Sequence, residues 1–398
     1  MPIQASISKR RPPLWLLAAG GVSLFAAAHA IAVWIYLYLA MPVHEDVRLT
    51  YVAAEAGLRY GWSSIYDEPT LRALSASFPP DQQRIDALYT YLHPPLVAWL
   101  FAPLTAFSEP LAYLAWTVIS LVALVFTWHL VAPYLGVAKA ALLLLAIGLW
   151  PVLSTFYYGQ PNLLVLAGVA ASWWLTKQNR PFLAGTMLAL ATFVKPQLMW
   201  LLPLAIVVSG RVAVVAGWAI GCAALGVVSA FALGPGGLSS WFHALQGGQA
   251  DPSHTVNTLI HFFGVGPVTF ALWLILGLAA LFVAYRQREH LDTVFAAGLL
   301  GTTLVAFHFH ELDYTVLILA AWFFLRTSPP IWQRLWLIPG LAAVELTGLG
   351  IAFGGAWDLP SHGLVIAWAA SWLAILVSNQ RRGGAGAPAY QLARTSNS

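Results

Sequence analysis

Three polar clusters interrupt an otherwise apolar chain, and each has residue types that can do chemistry. The first, His44-Glu45-Asp46-Val47-Arg48, directly follows a long apolar run and opens the stretch 41–93, which holds seven of the fifteen acidic residues. A carboxylate here is either a solvated helix-end residue or a general base. Partial burial would raise its proton affinity, and a nearby Arg48 would lower it. The second is Lys195, inside ATFVKPQLMW. A lysine in an apolar run is expensive. It either snorkels to an interface or meets an anion, and a phosphate suits such a point charge. The third is His308-Phe309-His310-Glu311-Leu312-Asp313-Tyr314. Its spacing matches no HExxH-type zinc pattern. His308 and His310 with Glu311 or Asp313 remain a minor metal-binding alternative, behind hydrogen bonding to a phosphate or sugar and a solvated turn in which Asp313 caps the next helix. Smaller signals are Gln160 and Asn162, whose amides can bind sugar hydroxyls or cap a helix, and His93 before Pro94-Pro95. The sequence contains no phosphate-binding GxxxxGK[ST] loop, no GxGxxG after a strand and no paired cysteines, and Cys222 sits alone in an apolar run.

The elements that must carry these groups are membrane helices. The 398 residues are 60% hydrophobic and 9% charged, with mean hydropathy +0.74, against roughly 25% charged in soluble domains. The apolar runs lack period-2 alternation, which excludes an outer-membrane barrel and implies an all-α polytopic protein. The net charge of +4 is no nucleic-acid signal, because the basic residues fall in short clusters between apolar runs, as cytoplasmic anchors do. Residues 1–13 form a cytoplasmic N-terminal tail, 14–380 the transmembrane domain and 381–398 a disordered cytoplasmic tail. The expected spans are 14–40, 110–132, 138–156, 160–176, 211–233, 267–285, 291–307, 312–326, 332–352 and 362–378, with shorter pieces 182–194, 196–208 and 94–107. A re-entrant 94–107 and two short crossings in 182–208 put Lys139, Lys177, Arg180 and Arg211 inside with both termini, and give about twelve crossings. The first loop, 41–93, and a second, 234–266, then lie outside, facing the same compartment as Gln160, Lys195 and the histidine cluster. The segments 47–60 and around Trp241, Phe242 and Leu245 read as short interfacial helices. Glu345 is assigned only a helix–helix hydrogen bond.

The order of motifs carries a resemblance. HEDVRLTYVAAEAGLRYGWSSIYD, then YLHPPLVAWLFAPL, YYGQPNLLVLAGVAA and AGTMLALATFVKPQLMWLLPL follow one apolar helix. Over roughly the first 210 residues this resembles glycosyltransferase family 87, the polyprenol-phosphate-mannose-dependent α-mannosyltransferases of the GT-C membrane fold. The resemblance implies a hexosyltransferase of the plasma (inner) membrane with its site on the outer face. The donor would be a polyprenyl-phosphate sugar and the acceptor a glycolipid or glycan. It implies Asp46 as general base and Lys195 at the donor phosphate, with His310 favoured over His308 beside it. His93 stands where related enzymes carry a lysine, so its part in phosphate binding requires a protonated ring. Arg48 is expected near the phosphate, and Gln160, Asn162 and Glu45 near the sugar or acceptor. No cofactor or divalent metal is expected, because a lipid phosphate leaves as a stable anion. The partners are membrane lipids and the two substrates, without nucleic acid, and the protein is expected to be a monomer. The competing readings are a lipid or sugar transporter (flippase), which should show two-fold repetition, and a non-catalytic scaffold, which need not keep Asp46, Lys195 and GQPN together.

Overall fold

The computed structural model describes residues 13–40, 45–78, 91–250, 255–353 and 358–378. His44, Asp81, Asp86 and the two tails lie outside the described residues, as does the side chain of Glu45. Every regular element among the described residues is helical. In chain order these are α1 (Leu14–Ala40), α2 (Glu45–Tyr60), α3 (Glu68–Ser75), α4 (Pro95–Phe101), α5 (Glu109–Val131), α6 (Gly136–Gly148), α7 (Trp150–Tyr158), α8 (Asn162–Lys177) and α9 (Pro181–Val194). They continue with α10 (Leu202–Val208), α11 (Val212–Ala250), α12 (Leu259–Phe263), α13 (Pro267–Arg286), α14 (Leu291–Leu304), α15 (Thr315–Arg326), α16 (Ile331–Leu335), α17 (Leu337–Phe353) and α18 (Asp358–Ser378). Short 3-10 turns precede α10 (Pro196–Met199) and α15 (Glu311–Tyr314).

Contacts between helix termini define two ends of the bundle. Helix α8 joins them, with Asn162 at its first residue and Lys177 at its last, about 23 Å apart at ~1.5 Å per residue. At one end Asn162 bonds to Asp313, Arg48 pairs with Glu109 and Tyr38 reaches the carbonyl of Pro110. At the other, Asp292 lies against Lys177 and Arg326, Arg326 donates to the carbonyl of Val131, and Lys139 donates to the carbonyl of His129. Arg211 lies in the field of Glu289 at this same end. The basic residues of the 139–211 group for which contacts are described, Lys139, Lys177 and Arg211, therefore share an end with Arg326.

Two consequences follow for the chain path. Segment 95–106, at ~18 Å, is too short for a ~30 Å hydrocarbon core. The residues flanking it on both sides, His93 and Glu109, lie at the polar end of the bundle. Residues 181–208 run from the basic end to Lys195 and back. The turn follows from Lys195-Pro196, because the residue before proline is pushed out of the α region, and Lys195 adopts φ −153°, ψ 89°.

Five described helices are long and apolar enough to span a membrane, namely Leu14–Ala40, Glu109–Val131, Val212–Gly248, Pro267–Arg286 and Pro360–Ser378. A sixth results if the bent pair α6–α7 counts as one. Two expectations change. The run 138–156 is no straight span but bends by 55° at Leu149, where Pro151 starts a new helix at a position that needs no N–H. Glu345 Oε1 accepts the Trp150 N–H at 2.8 Å, so its helix–helix bond caps this break. The second loop does not start as loop. Helix α11 continues through 234–250, kinked where Gly234 adopts φ 61°, ψ 179° before Pro235. Segment 47–60, expected as an interfacial helix, forms most of α2 and buries Val47, Ala53, Ala54 and Ala56 against the bundle while leaving Leu58 and Tyr60 exposed. Helices α9 and α11 approach until Gly185 meets the backbone of Val214 and Gly217 that of Phe182, the small-residue contact typical of membrane helix pairs.

Candidate active site

The GQPN turn is the hinge of the polar end, and each of its four residues has a separate reason to be there. Gly159 ends α7 at φ 67°, ψ 32°, a left-handed conformation open to glycine. Any Cβ there would strike the Val47 side chain, one residue from Asp46. Its carbonyl accepts Trp116 Nε1–H at 2.8 Å. Gln160 donates its backbone N–H to Thr155 O at 3.0 Å and its Nε2–H to Asp46 Oδ2 at 2.5 Å. Pro161 stands just before α8, where its missing N–H costs nothing. Asn162 is fully buried. It donates Nδ2–H to Asp313 Oδ1 and to the Leu312 carbonyl, both at 2.9 Å.

Lys195 lies at the centre, with 2% of its surface exposed. Its Nζ reaches Asp313 Oδ1 at 2.6 Å, Asn162 Oδ1 at 2.8 Å and Gln160 Oε1 at 3.1 Å. Burying an ammonium costs several kcal/mol unless it is paired and its protons are satisfied, and here three donors meet three acceptors. Asp313 Oδ2 in turn accepts the His310 backbone N–H at 3.0 Å. Burial alone would raise the Asp313 carboxyl, but the Lys195 ammonium, then His310, outweigh it and hold the group below the usual aspartate range.

The other expected residues fall into place around this knot. Asp46 lies in the first turn of α2, partly buried, where the helix N-terminus favours a negative charge. His93 lies within the fields of Lys195 and Asp313. Burial first, then Lys195, push its ring down to about 3, so near neutral pH it offers a hydrogen bond but no charge. The rings of His308 and His310 pack edge to face at 5.2 Å. Two assignments change. Arg48 is fully buried, 3.2 Å from Glu109 Oε2 and with its guanidinium 3.7 Å from the centre of the Phe78 ring. It ties α2 to α5 and is too enclosed to reach a phosphate. Asn162 spends its amide on Lys195, Asp313 and Leu312 and is too buried for the expected sugar contact. Lys195, expected on a phosphate, has protein acceptors at all three positions.

Sequence reasoning left out two acids of this site. Asp313 read as a helix cap, although a buried lysine requires a counterion and this acid lies in the polar turn. Glu311 is pushed up to about 7, by burial first and by the charges of Asp313 and Asp46, with its own backbone N–H and Lys195 opposing. Among the described residues no three His, Cys, Asp or Glu side chains converge as a metal site.

The polar end thus joins a carboxylate, through the Gln160 amide, to a buried lysine network in an all-helical bundle. Residues 91–309 match the model of glycosyltransferase family 87, more than half of the 398 residues, and the chain belongs to that family. It is a membrane glycosyltransferase by that membership. The match includes His93, Gln160, Asn162, Lys195 and His308, while Asp46 precedes it and His310 and Asp313 follow it. No match was found among curated proteins or among solved structures.

Proposed function

We propose that this glycosyltransferase moves a hexose, mannose in the first instance, from a polyprenyl-monophosphate sugar to a glycolipid or glycan acceptor, with inversion and with Asp46 as general base. The observation that carries this reading is the Asp46 carboxylate, held by Gln160 at the polar end of a bundle whose family transfers sugars. Glycosyl transfer passes through an oxocarbenium-like transition state. The lipid phosphate leaves as an anion and needs no proton. The acceptor hydroxyl gives its proton to Asp46 as its oxygen attacks the anomeric carbon from the face opposite the phosphate. His308 and His310 border the site as hydrogen-bond donors for the departing phosphate, and Lys195 adds positive potential from behind Gln160. Gln160 and Glu45 are assigned to the acceptor.

The polar end faces the outside of the plasma membrane and both termini the cytoplasm. The basic cluster at the far end supports this orientation, since cytoplasmic ends gather Lys and Arg. Twelve crossings in a GT-C arrangement agree with helix termini that alternate between the two ends.

Purified protein with polyprenyl-phosphate mannose and lipid acceptors is the test. Wild type transfers mannose. Asp46→Asn, which keeps an oxygen for Gln160 to donate to, binds donor but loses turnover. Normal transfer by that variant removes Asp46 from the mechanism.

A further inference from the structure

Lys195 is a donor-only group, and this decides how its neighbour must stand. An ammonium cannot accept, so the Gln160 amide turns its oxygen to Lys195 and its N–H₂ toward Asp46. The reverse orientation would set N–H against an ammonium and a carbonyl oxygen against a carboxylate. The backbone of Gln160 cannot relax the arrangement, being fixed by Gly159 in a left-handed conformation on one side and Pro161 on the other. The ammonium is itself anchored by Asp313 and Asn162, at 2.6 and 2.8 Å.

We propose that Lys195 and Gln160 are positioning residues for Asp46, a chain of donors running from the Asp313–Lys195 pair through the Gln160 amide to Asp46 Oδ2. The chain sets the rotation of the carboxylate toward the acceptor hydroxyl. Lys195 then acts on the reaction through Gln160 and not by contact with the donor phosphate. This inference rests on Asp46 being the base.

The full-length protein in lipid nanodiscs, with two variants, tests it. Gln160→Leu cuts the chain at its middle. Lys195→Met combined with Asp313→Asn removes the buried charges as a pair and avoids an uncompensated aspartate. Carbodiimide labelling read by mass spectrometry reports on Asp46 without requiring turnover. Labelling of Asp46 is expected to change at least threefold in both variants, while Asp67, which caps α3, labels as in wild type. Unchanged Asp46 labelling in Gln160→Leu overturns the proposal. If leucine prevents folding, Gln160→Asn, which shortens the arm by one methylene, is read the same way.

In the transfer assay kcat is expected to fall at least tenfold in both variants, with donor KM within threefold of wild type. Adding Gln160→Leu to the paired variant should cost nothing further, because groups in one chain are not additive. A tenfold rise in donor KM confined to the Lys195→Met/Asp313→Asn protein would instead place the lysine on the phosphate. If wild type transfers nothing from polyprenyl-phosphate mannose, the proposed donor fails, and the labelling result still decides the positioning role.

Discussion

The two ends of the bundle invert each other's charge arithmetic. At the polar end three carboxyls, Asp46, Glu311 and Asp313, gather around Lys195. At the basic end Glu289 lies beside Arg288, and Asp292 is shared by Lys177 at 3.9 Å, Arg326 at 3.5 Å and the Trp173 indole N–H at 2.7 Å. Arg326 and Lys177 also stack on the Trp173 ring, each 4.6 Å from its centre. Lys195 is enclosed and saturated, whereas the basic-end cations keep a quarter or more of their side chains exposed. An end with surplus acid and an enclosed cation holds protons and geometry, as chemistry requires. An end with surplus exposed cation has the charge that would suit an anionic lipid surface.

Substitutions sharpen or break that contrast, and the largest effect belongs to Asp46→Asn. Its turnover is expected to drop ~10²–10⁴-fold, the usual worth of a general base, with the melting temperature held. Next comes Lys195→Met alone, which strands Asp313. Breaking a buried pair costs about 3–5 kcal/mol, read as lost thermal stability, and adding Asp313→Asn should restore most of it. If the single variant melts like wild type, the ammonium is not the keystone of this end. Gly159→Ala forces a side chain against Val47 and so displaces the neighbouring Asp46. Misplacement by about 1 Å can cost up to ~10²-fold, and a tenfold loss of turnover is expected in the transfer assay.

The surplus acid also predicts a pH slope. The folded Glu311 carboxyl is raised from 4.5 to about 7, so the folded state holds more protons than the unfolded state between those values. Its contribution to stability is present below 4.5 and is lost as pH rises through 7. Melting temperature should therefore fall across that window, and Glu311→Gln should flatten the fall. The smallest effect is expected at the other end. Asp292→Asn should cost about 1 kcal/mol or less, as partly exposed ion pairs do, and leave turnover within twofold. A large loss of transfer there would join the two ends functionally and dissolve the contrast.

What was legible in the sequence follows the range of the forces involved. Helix α1 matches its expected bounds, 14–40, and α5 lies within one residue of its own, because continuous apolar length is written locally. Lys195-Pro196 and Gln160-Pro161-Asn162 announced breaks through proline. The bend at Leu149 was missed although Pro151 was visible, because a proline near a helix start and one in a helix interior look alike until a partner such as Glu345 is known. Arg48 and Glu109 are 61 residues apart, and nothing local links them. Gln160, Asn162 and Lys195 were singled out as polar groups in apolar surroundings. Their mutual bonding, with Asp313, is a property of three segments meeting and cannot be read from any one of them.

The Arg48–Glu109 pair also bears on how the protein is made. Arg48 emerges from the ribosome 61 residues ahead of its only described salt-bridge partner, and the fold finally buries both. Until Glu109 has been synthesised this pair cannot form, so the tie between α2 and α5 is made only after α5 has emerged. Synthesis order thus places the tie that fixes the helix bearing Asp46 after the emergence of α5.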